Sequence, residues 1–582
     1  MFLPTTPEEV RTLGWERLDV ILVTGDAYID SPFIGAAVIG KVLLAAGYRV
    51  GIIAQPATES GADIARLGEP LLFWGVTGGS VDSMVANRTA AGRKRRTDDY
   101  TPGGLNTRRP DRAVLVYSNL IRTSFKQTCP IVLGGIEASL RRVAHYDFWE
   151  NRLRRSILFD AKADYLLYGM AERSVVELAG LLRTGGDPKG VRGLCYAGRE
   201  LPADCLALPS FAECARDKDT FTRMFHAFYR NNDPRTARPL AQLQDSRYLI
   251  QNPPRPVPTS EELDRVHDLD YELEVHPYCA RQGEVRALET IRFAIATHRG
   301  CYGECNFCAI AVHQGRTVSW RSPGSIIAEA RRLAAHPRFK GIIQDVGGPT
   351  ANMFGFECAI KLRQGGCPRK RCLFPKVCPH LPVDHGPQIR LLQELRGIKG
   401  VRKVVVASGI RYDMILADRQ NGLPYLRELI RHHVSGQMKI APEHSEGHVL
   451  ARMGKPGADS LLRFRELFLE MNREEGRRQF LTYYLIAAYP GCTLADMQHL
   501  RRFCVDSLRL LPRQVQIFTP TPSTYATLMY WTGQNPWTGE SCFVEKTDAG
   551  RNRQKEVLAS GERKAGTQSW PKRPGLRKAG DE

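Results

Sequence analysis

The chain alternates short apolar runs with amphipathic segments, and it does so in two separate blocks. Such alternation restricts a chain to parallel α/β architecture. "LDVILVTGD" is an apolar run ending in a glycine turn. "SPFIGAAVIGKVLLAAG" then places Ile34, Val38, Val42 and Ala45 on one helical face, with Ser31-Pro32 as a start and Gly47 as a stop. "YRVGIIAQP" is a second strand, so the unit is βαβ and its strands run parallel. "PLLFWGVTGGSVDSMVAN", "DRAVLVYSN", "CPIVLGGIEASLRRV" and "ADYLLYGMAERSVVELAGLL" continue the pattern. Residues 1–195 are therefore predicted to form an open, doubly wound α/β domain. No GxGxxG follows its first strand, so a dinucleotide site has no support.

Periodicity weakens over 196–286, which holds "NPPRPVP" and "VHPYCA" and reads as an extended connector. From about 287 the alternation returns. "IRFAIAT", "GIIQDV", "KVVVA", "QMKIA", "FLTYYLIAA" and "QVQIF" are strand-like, and helical segments lie between them. Six parallel strands separated by five helices predict an α/β barrel, complete or partial, over 287–545. Its chemistry is expected on loops at the C-terminal ends of the strands.

No run of eighteen apolar residues occurs, so no membrane span is expected. The start lacks a basic segment followed by an apolar core, and the expected location is the cytoplasm, where thiols stay reduced. Net charge is +20, which admits an anionic partner such as RNA or an acidic substrate. No nucleic-acid module is recognisable, so an RNA partner stands only as an alternative to a basic surface. The basic tail, 546–582, is poor in apolar residues and is predicted to be disordered.

Seven of the fifteen cysteines fall between Cys301 and Cys378. In a reducing compartment such a cluster reads as metal binding before disulfides. Cys301, Cys305 and Cys308 lie in "THRGCYGECNFCAI", directly after the first barrel strand. The spacing lacks the second CxxC pair of a zinc ribbon and the fourth cysteine of a ferredoxin run. A loop with Gly300 and Gly303 can fold three thiolates round one cluster and leave one iron without a protein ligand. A catalytic metal needs that open position. A forty-residue insertion, 347–386, follows the second strand and carries Cys358, Cys367, Cys372 and Cys378. These four can close a structural zinc or auxiliary iron-sulfur site, with His380 as an alternative ligand. They can equally be small hydrophobes in a lid packed by Pro, Phe and Leu.

CxxxCxxC with an aromatic, Phe307, before the last cysteine, in the loop after the first strand of a β/α barrel, resembles the radical SAM superfamily. The resemblance implies a partial (β/α)6 radical SAM barrel preceded by the open doubly wound domain. It implies that the three cysteines hold a 4Fe-4S cluster and that S-adenosylmethionine chelates the open iron. An electron, from a donor such as flavodoxin or ferredoxin, then breaks the sulfonium bond. The products are methionine and a 5′-deoxyadenosyl radical that takes hydrogen from substrate. Gly347 and Gly348 in "QDVGGPT" resemble the glycine pair whose backbone meets the SAM amino group, although Pro349 replaces the usual acid. Ser408 and Arg411 in "ASGIRYD" are candidates for the SAM ribose or carboxylate; Lys439, Glu443 and His444 in "KIAPEHSE" are candidates for the same cavity.

"GDAYIDSPFIGAAVIG", "GGIEASLRRVAHYDFW", "CLFPKVCPHL" and "FTPTPST" extend the resemblance to YgiQ-type radical SAM proteins, over almost the whole chain. That family implies no particular substrate. Two other functions stay open: an iron-sulfur or zinc protein that binds RNA without catalysis, and a cobalamin-dependent methyltransferase. The DxHxxG signature of a cobalt-ligating histidine is absent from "GDAYIDSP", so cobalamin is not the expectation.

Overall fold

A computed structural model of the chain describes residues 1–368, 371–512 and 514–559. The N-terminal half is built on one nine-stranded sheet. Its strands are β1 (Val20–Thr24), β2 (Val50–Ala54), β3 (Phe73–Thr77), β4 (Ile131–Gly134), β5 (Tyr165–Leu167), β6 (Leu194–Gly198), β7 (Leu206–Leu208), β8 (Leu240–Gln244) and β9 (Arg247–Gln251). Their order across the sheet is β7-β8-β9-β6-β5-β4-β3-β1-β2. The five strands from β2 to β5 in that order are parallel. β6 and β9 continue the sheet antiparallel.

All five residues of β1 and of β2 are buried. Side chains alternate across a strand, so both faces must be covered. Ile21, Val23, Trp74, Val76 and Leu133 join the core on one face. Val20, Leu22, Val50, Phe73 and Val132 join a second core on the other, against the helix Gly35–Ala45.

The expectation of an extended connector over 196–286 is corrected here. Its first part supplies β7, β8, β9 and the helix Lys218–Arg230, all belonging to the N-terminal domain. The alternation was hidden because several inward positions carry glutamine. Gln242, Gln244 and Gln251 are buried. Gln242 Oε1 accepts from Ala144 N at 2.9 Å, Gln244 Oε1 from Ser156 N at 2.8 Å and Gln251 Oε1 from Arg142 Nε at 3.0 Å. Buried amides with such partners satisfy loop backbone that apolar residues would leave unpaired. Only the later part wraps the domain surface, with Glu274–Val275 pairing antiparallel to Ile29–Asp30.

The second half holds six consecutive strand positions: β10 (Ala294–Ala296), then β11 (Ile342–Ile343) with β12 (Asp345–Gly347), β13 (Lys403–Val404), β14 (Gln437–Glu443), β15 (Phe480–Ala487) and β16 (Gln514–Ile517). Each is parallel to the next. β10 pairs with β12, β11 with β13, β14 with β15 and β15 with β16, and an Ile410–Ile440 bridge links the third position to the fourth. Among the described residues no pairing joins β16 to β10, so the barrel is partial. No helix among them is long and apolar enough to cross a membrane.

The predicted disordered tail is also corrected in part, since Asp548–Ala559 is a helix. Its Gln554 is buried, accepts from Ala488 N at 2.9 Å and donates to Cys492 O at 3.0 Å. Arg551 donates to Tyr530 Oη at 3.0 Å. Residues 560–582 lie outside the described residues. Gln554→Ala strips two buried backbone groups of their partner. It is expected to lower the unfolding free energy by about 1–3 kcal/mol. Chemical denaturation of the full chain checks this, and unchanged stability would mean that the helix is not docked.

Candidate active site at the barrel mouth

The loop after β10 is shaped by two glycines. Gly300 has φ +84°, and a Cβ there would lie 2.3 Å from Thr317 O. A side chain is excluded on both counts. A Cβ on Gly303 would lie 3.3 Å from Cys301 Sγ, 3.5 Å from Cys305 Sγ and 3.1 Å from Arg411 Nη1. Two sulfurs and a guanidinium therefore crowd round one bare backbone position. Cys308 N donates to Cys305 O at 3.0 Å and turns the third cysteine back toward them. Burial, with Cys305 and Cys301 adjacent, pushes the Cys308 thiol up to about 12. Burial also raises Cys301. Thiols gathered in one half-buried loop are the donor set a metal cluster would deprotonate and hold. Three thiols in one glycine-lined loop, with no fourth, fit the 4Fe-4S group that the sequence implies.

The loops after the second and third strands are locked together beside the cysteines. Arg411 N donates to Asn352 Oδ1 at 2.9 Å, and Asn352 Nδ2 donates to Arg411 O at 3.0 Å. The Arg411 fork is bound by Asp413, Nε to Oδ1 at 2.8 Å and Nη2 to Oδ2 at 2.5 Å. Nη1 remains, 3.7 Å from Cys305 Sγ. Arg411 thus stands beside the sulfurs, but its bidentate edge already serves Asp413. Ser408 is likewise committed: its hydroxyl donates to Asp345, whose Oδ1 also accepts from Ala407 N at 2.8 Å and Ser408 N at 3.1 Å. Asp345 and Asp413 were missed by sequence reasoning, although both lie inside motifs it quoted.

Gly347 O accepts from Thr297 N at 2.7 Å, which ties the second strand's end to the start of the cysteine loop. A Cβ on Gly348 would fall 2.5–2.7 Å from the His298 ring. His298 is buried; its Nε2 lies 3.0 Å from Thr350 O and its Nδ1 2.8 Å from Thr297 Oγ1. Burial lowers its pKa to about 4, so the ring is neutral and wedges the two loops apart. Phe307 meets Tyr489 edge-on, with centroids 6.2 Å apart. Glu443, at the end of β14, is buried with φ +70°, strained for a residue with a side chain. Its carboxylate lies 3.6 Å from Lys455 Nζ, and burial raises its pKa. His444 faces Cys492 Sγ at 3.4 Å, and Lys439 is half-buried, its carbonyl accepting from Ile410 N.

The insertion's four cysteines differ in their surroundings. Cys367 is exposed, while Cys358, Cys372 and Cys378 pack with Tyr302, Phe356 and Leu373 in an apolar layer. Among the described residues no three of these sulfurs lie within 4.8 Å of one another, as ligands of a single ion would. His380 is exposed as well. Three of the four thus sit in an apolar layer of the kind the lid reading expects. Cys301 touches the same layer, so the insertion covers one flank of the cysteine loop.

On the other flank lies a cavity of about 500 Å³. His298, Pro349 and Ser408 line it from the barrel, and Asp26, Gly135 and Glu172 line it from the N-terminal domain. Leu22, Phe73 and Val132 form an apolar floor. Both open sheets and barrels place ligand sites at the C-terminal ends of their strands, and here the two edges face one space.

Gly303→Val inserts methyls among the sulfurs. The variant is expected to fold, by circular dichroism, yet to lose most of the iron that wild type takes up on anaerobic reconstitution. Equal iron content would show that the sulfurs do not meet round this glycine.

The Radical SAM N-terminal family model matches residues 2–294. A UPF0313 protein of Fusobacterium nucleatum is 55% identical over 96% of this chain and 98% of its own length. One of Thermotoga maritima is 47% identical, with the same shares covered. Among solved structures, the radical S-adenosylmethionine methyltransferase TsrM of Kitasatospora setae, with cobalamin and a [4Fe-4S] cluster bound, matches with a TM-score of 0.48 and 15% identity. The match covers 88% of this chain and 77% of that one. The cobalamin-dependent S-adenosylmethionine radical enzyme OxsB matches with a TM-score of 0.49 and 13% identity, over 88% of this chain and 55% of that one. With a family model spanning half its length and relatives this similar over nearly all of it, the chain belongs to the UPF0313 family of radical SAM enzymes.

Proposed function

We propose that Cys301, Cys305 and Cys308 hold a 4Fe-4S cluster, that S-adenosylmethionine occupies the mouth beside it, and that an organic substrate sits in the interdomain cavity. The observation that carries this reading is the convergence of the cysteine loop, the Gly347-Gly348 turn and the Arg411–Asp413 pair on a mouth bordering that cavity. When bound, the cluster and SAM supply the one-electron chemistry that generates a 5′-deoxyadenosyl radical for hydrogen abstraction.

The chain's own residues bind, orient and exclude water. Gly347 and Gly348 line the cavity at the strand edge, and Gly348 leaves room for the His298 ring beside it. Arg411, held by Asp413, places fixed positive charge beside the thiolates. The layer of Tyr302, Phe356 and Leu373 closes the lid side to water, which preserves a reactive intermediate. The apolar floor favours a substrate with an apolar body, and an external donor such as flavodoxin or ferredoxin supplies the electron.

The test is anaerobic reconstitution with SAM and a reductant. Wild type is expected to form 5′-deoxyadenosine, and Cys301→Ala to abolish it while retaining its far-ultraviolet spectrum. Production by the variant at the wild-type rate would remove the cluster assignment. Cobalamin added in the same experiment should not be retained. Uptake of one equivalent would give the cavity to a corrinoid and favour the methyltransferase reading.

A further inference from the structure

A second group of metal-binding side chains lies away from the cysteine loop, where the loops after β14 and β15 meet. Glu446 and His448 flank the start of the helix Gly447–Met453, and Asp496 and His499 lie one turn apart on the helix Leu494–Asp506. Ligand atoms of Glu446, His448 and Asp496 all lie within 4.8 Å of one another. His448 Nε2 is 3.4 Å from Asp496 Oδ2, and His499 Nδ1 is 3.5 Å from Glu446 Oε2.

Those two distances are informative. A charge-assisted hydrogen bond draws nitrogen and oxygen to about 2.7–2.9 Å. Two ligands of one tetrahedral ion, each bonded at about 2.0–2.2 Å, stand about 3.3–3.6 Å apart. Both imidazole–carboxylate pairs stand farther apart than a tight hydrogen bond, which leaves space for an ion between them.

The surroundings hold the ligands in place. Asp496 Oδ2 accepts from Thr493 N at 2.8 Å and Thr493 Oγ1 at 2.7 Å. Glu446 N donates to His444 Nδ1 at 3.1 Å, and the buried His444 ring rests against Cys492. Such outer contacts orient first-sphere groups. The side chains of His448 and His499 are 47% and 46% exposed, whereas that of Asp496 is 11% exposed, so an ion can enter from solvent onto a buried base. Two carboxylates balance a dication, and an imidazole beside them suits zinc among first-row metals.

We propose that Glu446, His448 and Asp496 bind one divalent first-row cation of the zinc type, with His499 beside Glu446 as its outer partner. The ion would clip together the loops after β14 and β15. The far end of the helix Gly447–Met453 meets the cysteine loop, where Asn306 N donates to Met453 O at 2.9 Å and Asn306 Nδ2 to Arg452 O at 2.7 Å. The clip therefore braces the element on which that loop rests.

The experiment is Zn²⁺ titration of the full chain, washed with chelator, by calorimetry and elemental analysis. It is run on the reconstituted protein and on a Cys301→Ala/Cys305→Ala/Cys308→Ala variant, so that the result does not depend on the cluster assignment. One equivalent of Zn²⁺ is expected in both, together with a rise in Tm. Co²⁺ in its place should show tetrahedral ligand-field bands. His448→Ala, at an exposed position, should lose the equivalent, and Glu446→Gln should weaken it at least tenfold, with iron content and circular dichroism unchanged. Absence of the equivalent from both backgrounds, or its retention at wild-type affinity in His448→Ala, overturns the proposal.

Discussion

The barrel mouth depends on one continuous set of backbone-directed hydrogen bonds across its first three strands. Thr297 N reaches Gly347 O, Asp345 gathers the amides of Ala407 and Ser408, and Asn352 exchanges two bonds with the backbone of Arg411. The first joins the cysteine loop to the end of the second strand, and the others join the second strand's end to the third's. Buried backbone groups demand partners, so a loop that moves must break bonds that water does not replace. The cysteine loop is thereby held against the second strand's end, which is itself tied to the third.

Charge is organised on the same principle. The chain is strongly basic, yet several of its arginines lie inside. Arg109 pairs with Asp26 at 2.6 Å and Asp98 at 3.1 Å, and Arg411 pairs with Asp413, all with little exposure. Lys41 reaches Asp30 at 2.9 Å. Buried pairs add little net stability because desolvation offsets attraction, but breaking one leaves an unpaired charge. Their effect here is positional. Asp26 lines the interdomain cavity, and Arg411 faces the cysteine sulfurs. An arginine–aspartate pair at each place fixes side chains where ligands are expected.

Much of this was legible because parallel α/β folds write their strands as apolar runs. The first strands of both halves, Val20–Thr24 and Ala294–Ala296, fall inside quoted runs, and the cysteine loop follows the second of them. Strands β8 and β9 were not legible. Gln242, Gln244 and Gln251 face inward on hydrogen-bond duty, which erases the apolar period. The helix Asp548–Ala559 was hidden by its polarity, since it docks through Arg551 and Gln554 with one buried leucine.

Sequence alone determined the fold class, the place of three cysteines after a barrel strand, and the glycines that a tight loop there requires. These are properties of period and spacing, which local chain geometry dictates. Tertiary structure alone decided who partners whom. It gave Arg411 to Asp413 and Ser408 to Asp345, and it left Cys367 exposed while burying Cys358. It also set Glu446 and His448 opposite Asp496 and His499, about fifty residues away along the chain. Such pairings depend on where distant strand ends meet, and no local pattern encodes that.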